Sequence, residues 1–405
     1  MVITQSGPDL RLAGDAIAVW AAARRPRSAE FPYRPVLDYY QCTGRTAADP
    51  ELAARLRGTL ARLEQARHLA PWTSPEDWLL LRWLRAAALD RGMTYDDYTG
   101  HDLLAVVDSA AGGTEDGLVA ALLVDLAVRE FAHAEDATAR GRVSAVLRAV
   151  TRLDDFAPVG PRGATAVADL AAALDRRDPA RLRDAVAGVA AVTDAETAPL
   201  ARRAVDVTLM PMTALHDEVM FLRCIQLFER LFVQVVRGVL EATDAVRRDR
   251  VDEAVVLLDA ASRALGGAAS PLYRVLTTMP PDSFAVIRAH THGASAIQSR
   301  SYRLVERATA ARADEGGSLP DWVVDTTLQE EFLVGADRRP AGDTRRLEHA
   351  MRRLDSRWRA MKRTHWGVTL KIIGTAPGTG GTTGADYLRA AAEVPLFPLL
   401  GEGDR

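Results

Sequence analysis

The chain has 405 residues, 48% of them apolar and 26% charged, with 51 basic against 54 acidic side chains and a formal charge of −3. This is the composition of a globular protein with room for two or three domains and a sizeable core. With no block of like charge, it argues against a surface built for nucleic acid or an anionic membrane. Lys362 and Lys371 are the only lysines, so Schiff-base and P-loop lysine chemistry has almost no candidates. Cys42 and Cys224 lie far apart and outside any C-x-x-C spacing, which disfavours a disulfide framework, a zinc ribbon or a cysteine-held cluster and fits a reducing, cytoplasmic setting. The N-terminus lacks the basic and apolar regions of a secretion signal, and no apolar run approaches the roughly 20 residues of a membrane span.

Helical periodicity rich in Ala, Leu, Arg and Glu dominates and strand-like alternation is nearly absent, so the sequence predicts an all-α protein. In chain order, helices are expected over 50–70, 76–90, 115–150, 166–190 and 197–209, with breaks at Gly112-Gly113, Pro158 to Arg162 and Asp178-Pro179. Tyr95 and Tyr98 form an aromatic cluster between the second and third of these. From about residue 210 the texture changes. Segment 217–240 places Phe221, Ile225, Phe228, Phe232, Val235 and Val239 at three- and four-residue steps, predicting a central helix buried on most sides. Helices follow near 251–265, from Asp282 and over 297–313, then a poorly patterned connection, 314–343, then a long helix from Thr344. In that last helix Leu347, Met351, Leu354, Trp358, Met361, His365, Val368 and Ile372 alternate in steps of four and three, which sets His365 on an inward seam.

An imidazole on an apolar seam is either a core histidine bonded to a neighbour or a ligand to a metal or haem iron, and periodicity leaves both open. His216-Asp217-Glu218 reads as a helix start with acids at the positive end of the dipole. Neither it nor the His290/His292 pair has the H-E-x-x-H spacing of zinc proteases. Phe284 and Arg288, four apart, share a helix face. The arginine is either a structural ion-pair partner with a snorkelling stem or a planar fork for a substrate carboxylate. The loop PGTGGTTG, 377–384, has neither a P-loop ending nor dinucleotide-fold spacing. It offers close backbone approach and the hydroxyls of Thr379, Thr382 and Thr383.

Taken in order, these segments resemble the tryptophan 2,3-dioxygenase superfamily of haem enzymes. The resemblance runs through H-D-E-V-M-F-L (216–222) with Gln226 and Glu229, then P-x-x-F-x-x-x-R (281–288) and ASAIQSRSYRLVE (294–306), then the His365 helix into IIGTAPGTGGTTGADYLR (372–389). Tyr95-Asp96-Asp97-Tyr98 with Asp102-Leu103-Leu104 resembles the family's Tyr-x-x-Tyr segment, displaced upstream by a stretch that compact members lack. It implies a helical bundle with a haem-binding catalytic core over 211–400 and an enlarged N-terminal helical region over 1–210. It also implies haem b on a proximal His365, a substrate carboxylate on Arg288 beside Phe284, and Thr379 closing over the amino acid. Phe221 would pack on an indole. Tyr95 and Tyr98 would reach into a neighbouring subunit, making a homo-oligomer, dimer or tetramer. The chain departs from the family at Ile225, where a distal histidine accepts the indole N–H, and at Ala296-Ile297, where Gly-Phe is usual. An aliphatic side chain accepts no hydrogen bond, so a substituted tryptophan or another aromatic amino acid becomes a candidate beside L-tryptophan. The expected activity is a haem-dependent dioxygenase using O2 to cleave the indole C2–C3 bond to an N-formylkynurenine-type product. The alternatives are a haem-dependent mono-oxygenase of an aromatic amino acid and a non-catalytic helical binding protein.

Overall fold

Proline and glycine punctuation cuts the chain into short rods. The computed structural model describes residues 10–23, 26–69, 74–88, 94–111, 117–133, 137–157, 159–176, 178–291, 293–311 and 326–400, which form eighteen α-helices and no strand. The N-terminal half holds α1 (Leu10–Ala22), α2 (Tyr33–Thr43), α3 (Pro50–Leu69), α4 (Pro75–Ala88), α5 (Tyr95–Thr99), α6 (His101–Ala111), α7 (Gly117–Ala132), α8 (Ala137–Val150), α9 (Pro161–Arg176), α10 (Pro179–Glu196) and α11 (Pro199–Val207). Then come α12 (His216–Arg247), α13 (Val251–Leu276), α14 (Pro281–His290), α15 (Arg300–Thr309), α16 (Leu328–Gly335), α17 (Ala341–Ile373) and α18 (Ala385–Glu393). Six of these, α3, α4, α9, α10, α11 and α14, start on a proline, where a missing N–H is harmless and φ is already helical.

Several boundaries differ from the sequence expectation. The 115–150 pattern is two helices, α7 and α8, and 166–190 straddles the junction where the Asp178 carboxylate caps α10 by accepting from the N–H groups of Ala180 and Arg181. Helix α13 runs on to Leu276 through Pro271, well past 265. The connection expected over 314–343 contains α16, opened by a reciprocal Thr327/Glu330 capping box whose T-x-x-E signature stands in the sequence; its first part, 314–325, lies outside the described residues.

Helix α12 is the axle of the molecule. It packs on α13, α15 and α16 and, from the N-terminal half, on α7, while α13 packs on α17 and α8. Leu222, Leu227, Leu231, Val235 and Val239 are fully enclosed, each contributing about 1.5–3 kcal/mol by burial. The apolar core runs unbroken from Ala13 to Phe397.

A polar face bolts this axle to the N-terminal helices. Arg223, 0% exposed, donates to Asp125 on α7 (2.7 Å), to Thr208 (2.8 Å) and Gln226 (2.6 Å) and to the Val205 carbonyl (2.7 Å). Gln226 continues to the Thr99 carbonyl at 2.7 Å, and Arg230 pairs with Asp108 on α6. Burial alone would raise the Asp125 pKa, but Arg223 and Arg129 outweigh it and hold the carboxyl below its ordinary value. Arg223→Met strands several buried acceptors and is expected to cost about 3–5 kcal/mol, read as a lowered denaturant midpoint. Because the folded Asp125 pKa is depressed, the pair's contribution is present above the ordinary carboxylate range and is lost as pH falls through the folded pKa. The variant should therefore lose less stability in acid than the parent.

Candidate functional site

Beside the axle, α12, α13, α14, α15, α17 and α18, with α5 and the 377–384 loop, enclose a cavity of about 800 Å³. This falls within the roughly 300–1,000 Å³ usual for cofactor and small-molecule sites. Its walls include Tyr95, Tyr98, Phe221, Ile225, Phe284, Arg288, His365 and Thr379, so the eight positions that the family resemblance picks out for the site meet in one place, while Thr383 lies outside the lining.

His365 enters from α17, where Met361 and Val368 to either side are buried. Its ring stacks on Tyr273 of α13 at 5.7 Å and 18°, and Tyr273 in turn meets Phe228 at 4.7 Å. Burial disfavours the imidazolium and lowers the pKa to about 4. No described residue hydrogen-bonds the ring. The bonded core histidine that periodicity left open is thus not what the described residues form.

Arg288 and Phe284 enter from α14. Phe284 meets Phe221 edge-to-face at 5.4 Å and 71°, giving the cavity a paired aromatic wall. The Arg288 guanidinium donates to the Pro377 carbonyl at the start of the Gly-rich loop, and no described carboxylate pairs with it. A charged fork in a cavity wall without a carboxylate partner is suited to receive one from a ligand.

The loop is latched over this end. Thr379 Oγ1 donates to Ser295 Oγ at 3.0 Å, and Ser295 Oγ donates to the Thr379 carbonyl at 3.0 Å. Gly384 has φ +70°, and a Cβ there would lie 2.4 Å from the Ala376 carbonyl oxygen; only glycine fits that closure. Ser295 stands in the sequence reading only within the 294–306 block, without a role of its own. Its one local signal is the spacing to Gln298, with which it forms a capping box.

Tyr95 and Tyr98 sit in the cavity of their own chain, where the family resemblance implies a neighbour's. Tyr95 Oη donates to Glu229 Oε1 at 2.7 Å and Tyr98 Oη to Glu218 Oε1 at 3.1 Å. The local cause is α5, closed by a Thr94/Asp97 capping box and an αL Gly100; it packs on α6, α4 and α12. Burial first, and the adjacent carboxylates second, raise both phenol pKa values well above normal, so both remain donors. Glu218 is filled by further bonds from the N–H groups of Met212 (3.0 Å) and Thr213 (2.7 Å).

The other histidines stand apart. His216 stacks on His133 at 3.9 Å with its Nε2 3.0 Å from Glu130; His290 is bonded to the Val286 carbonyl; His292 lies outside the described residues. Among the described residues no cluster of three or more His, Cys, Asp or Glu could hold a metal ion, and no helix is long and apolar enough to cross a membrane.

No family model matches the chain. It is 27% identical over 239 residues to the tryptophan 2,3-dioxygenase of Burkholderia orbicola, covering 47% of this chain and 76% of the relative. The tryptophan 2,3-dioxygenase of Bradyrhizobium diazoefficiens gives 28% over 236 residues, 47% of this chain and 84% of the relative. That of Paraburkholderia phytofirmans gives 27% over 240 residues, 47% and 77%. Most of each relative is thus represented, while about half of this chain lies outside the match. Over about half its length the chain is distantly but significantly related to tryptophan 2,3-dioxygenases.

Proposed function

We propose that this chain is a haem b-dependent oxygenase of an aromatic amino acid: a dioxygenase cleaving the indole C2–C3 bond of L-tryptophan or a substituted tryptophan to an N-formylkynurenine-type product. The observation that carries the reading is His365, a neutral imidazole with no described hydrogen-bond partner in the wall of a cavity whose lining includes Arg288 and Thr379. A ligand imidazole must be neutral, and Phe228, Phe232, Tyr273 and Val368 line the cavity with it, so the residues fit a flat apolar macrocycle held through His365. Haem bound there would supply the activation of O2, which no side chain in this cavity provides.

The chain's own residues would do the rest. Arg288 takes the substrate carboxylate, Thr379 and the latched loop close over the amino acid group, and Phe221 with Phe284 fixes the plane of the ring. This positioning needs no protein general base, so an aliphatic Ile225 is compatible with turnover. In this reading the catalytic core spans 211–400, and the N-terminal region, 1–210, contributes Tyr95 and Tyr98. Since both tyrosines line their own chain's cavity, the dimer or tetramer implied by the family would not be needed to complete the site.

Ile225 favours a substituted tryptophan or another aromatic amino acid as the substrate, because an indole N–H facing it would go unpaired; mono-oxygenation of such an amino acid is the second reading. Aerobic turnover of tryptophan analogues under isotopically labelled O2, read by mass spectrometry, separates the possibilities. Two labelled oxygens in the product are expected. One would establish the mono-oxygenase, and binding without product would identify a non-catalytic binding protein.

A further inference from the structure

Among the polar groups of the cavity wall to which the site gives no role is the Glu229 carboxylate. It is 2% exposed and follows Ile225 by one turn of α12, about 6 Å along the axis. Tyr95 Oη donates to its Oε1 at 2.7 Å. No other described residue donates to the carboxylate and no described cation pairs with it. The contrast with the other acids nearby is informative: Glu218 has its oxygens filled by backbone and side-chain donors, and Glu306 is paired with Lys362. A carboxylate removed from bulk water with acceptor capacity left over is costly unless a donor arrives, and in this wall the donor has to come from what occupies the cavity.

We propose that Glu229, held in place by Tyr95, determines specificity by accepting a hydrogen bond from an N–H or O–H group on the ring of the bound aromatic amino acid. The proposal rests on the aromatic amino acid reading of the cavity. It places the ring-reading acceptor one helical turn beyond Ile225. A ring lacking the donor leaves Glu229 desolvated and unpaired, which is how buried polar groups reject an otherwise isosteric ligand.

The test uses full-length, haem-supplied protein and two ligand pairs differing in the ring donor: L-tryptophan with 3-benzothienyl-L-alanine, and L-tyrosine with L-phenylalanine. Affinities are measured by titration calorimetry. In at least one pair the donor-bearing ligand should bind about tenfold tighter or more. The Tyr95→Phe/Glu229→Leu double variant, which removes both polar groups together, should bring that ratio to within about twofold. Glu229→Gln keeps the Tyr95 bond and should reduce the preference at least about threefold, since a neutral acceptor replaces a charged one; it decides the matter if the double variant fails to fold. Tyr95→Phe alone should keep a preference. A preference unchanged in the Glu229 variants, or none in either pair, overturns the proposal while leaving the amino acid reading intact. If none of the four ligands binds, both fall.

Discussion

His365→Ala protein, purified with haem supplied, is expected to lose the intense visible band of the parent and all oxygenase activity while keeping its helical content. The loss should be complete rather than graded, because among the described residues that line the cavity His365 is the only histidine and there is no cysteine. Cys224, the thiol of α12, lies outside the cavity lining and is buried, with its thiol pKa pushed up by burial. The fold should survive because the imidazole ring makes no described hydrogen bond; what disappears is its stacking on Tyr273.

Arg288→Ala should raise the Kd for the amino acid by about 100-fold, the scale of losing a charge-assisted carboxylate bond in a partly desolvated site. Arg288→Lys keeps the charge without the planar fork and should recover only about a tenth of that loss. The effect should fall on binding rather than on the chemical step, so KM moves further than kcat. Tryptamine, which has no carboxylate, provides the control: its weak binding should fall by no more than the roughly fivefold expected from loosening the loop. A second consequence follows from the bond to the Pro377 carbonyl. Removing the guanidinium also unties the start of the Gly-rich loop, and Thr379→Ala, which breaks the latch to Ser295, should weaken the same ligand less, by about fivefold for one neutral hydrogen bond.

Much of this site was legible from helical spacing. A histidine at a leucine position of α17, and Phe284 and Arg288 on one face of α14, need only the 3.6-residue period to be noticed, and the structure brings all three to one cavity. Periodicity could not say whether His365 or Arg288 had partners, because that depends on which side chains other helices present. The short helices were the least legible. Helix α5 has five residues, too few for a periodic signal, so the tyrosines it carries could be noticed as a pair but not placed. Glu229 and Ser295 stood within the blocks of the resemblance but without a role: a glutamate in a helix and a serine before a turn are ordinary residues until the Tyr95 hydroxyl and the Thr379 loop are seen against them.

The two faces of α12 lead to a different kind of consequence. Arg223, Gln226 and Arg230 point to one side and are locked by bonds to α5, α6, α7 and the segment after α11. Phe221, Ile225, Phe228 and Phe232 point to the other and line the cavity. Because successive residues are about 100° apart, a substitution on the cavity side leaves the locked side untouched. Selection can therefore change what this protein recognises at the half-buried Phe221 and Ile225 without breaking that lock, whereas Phe228 and Phe232, buried in the core, are costlier to change. New substrate preferences should be reachable here by mutation in small steps, each passing through a folded protein.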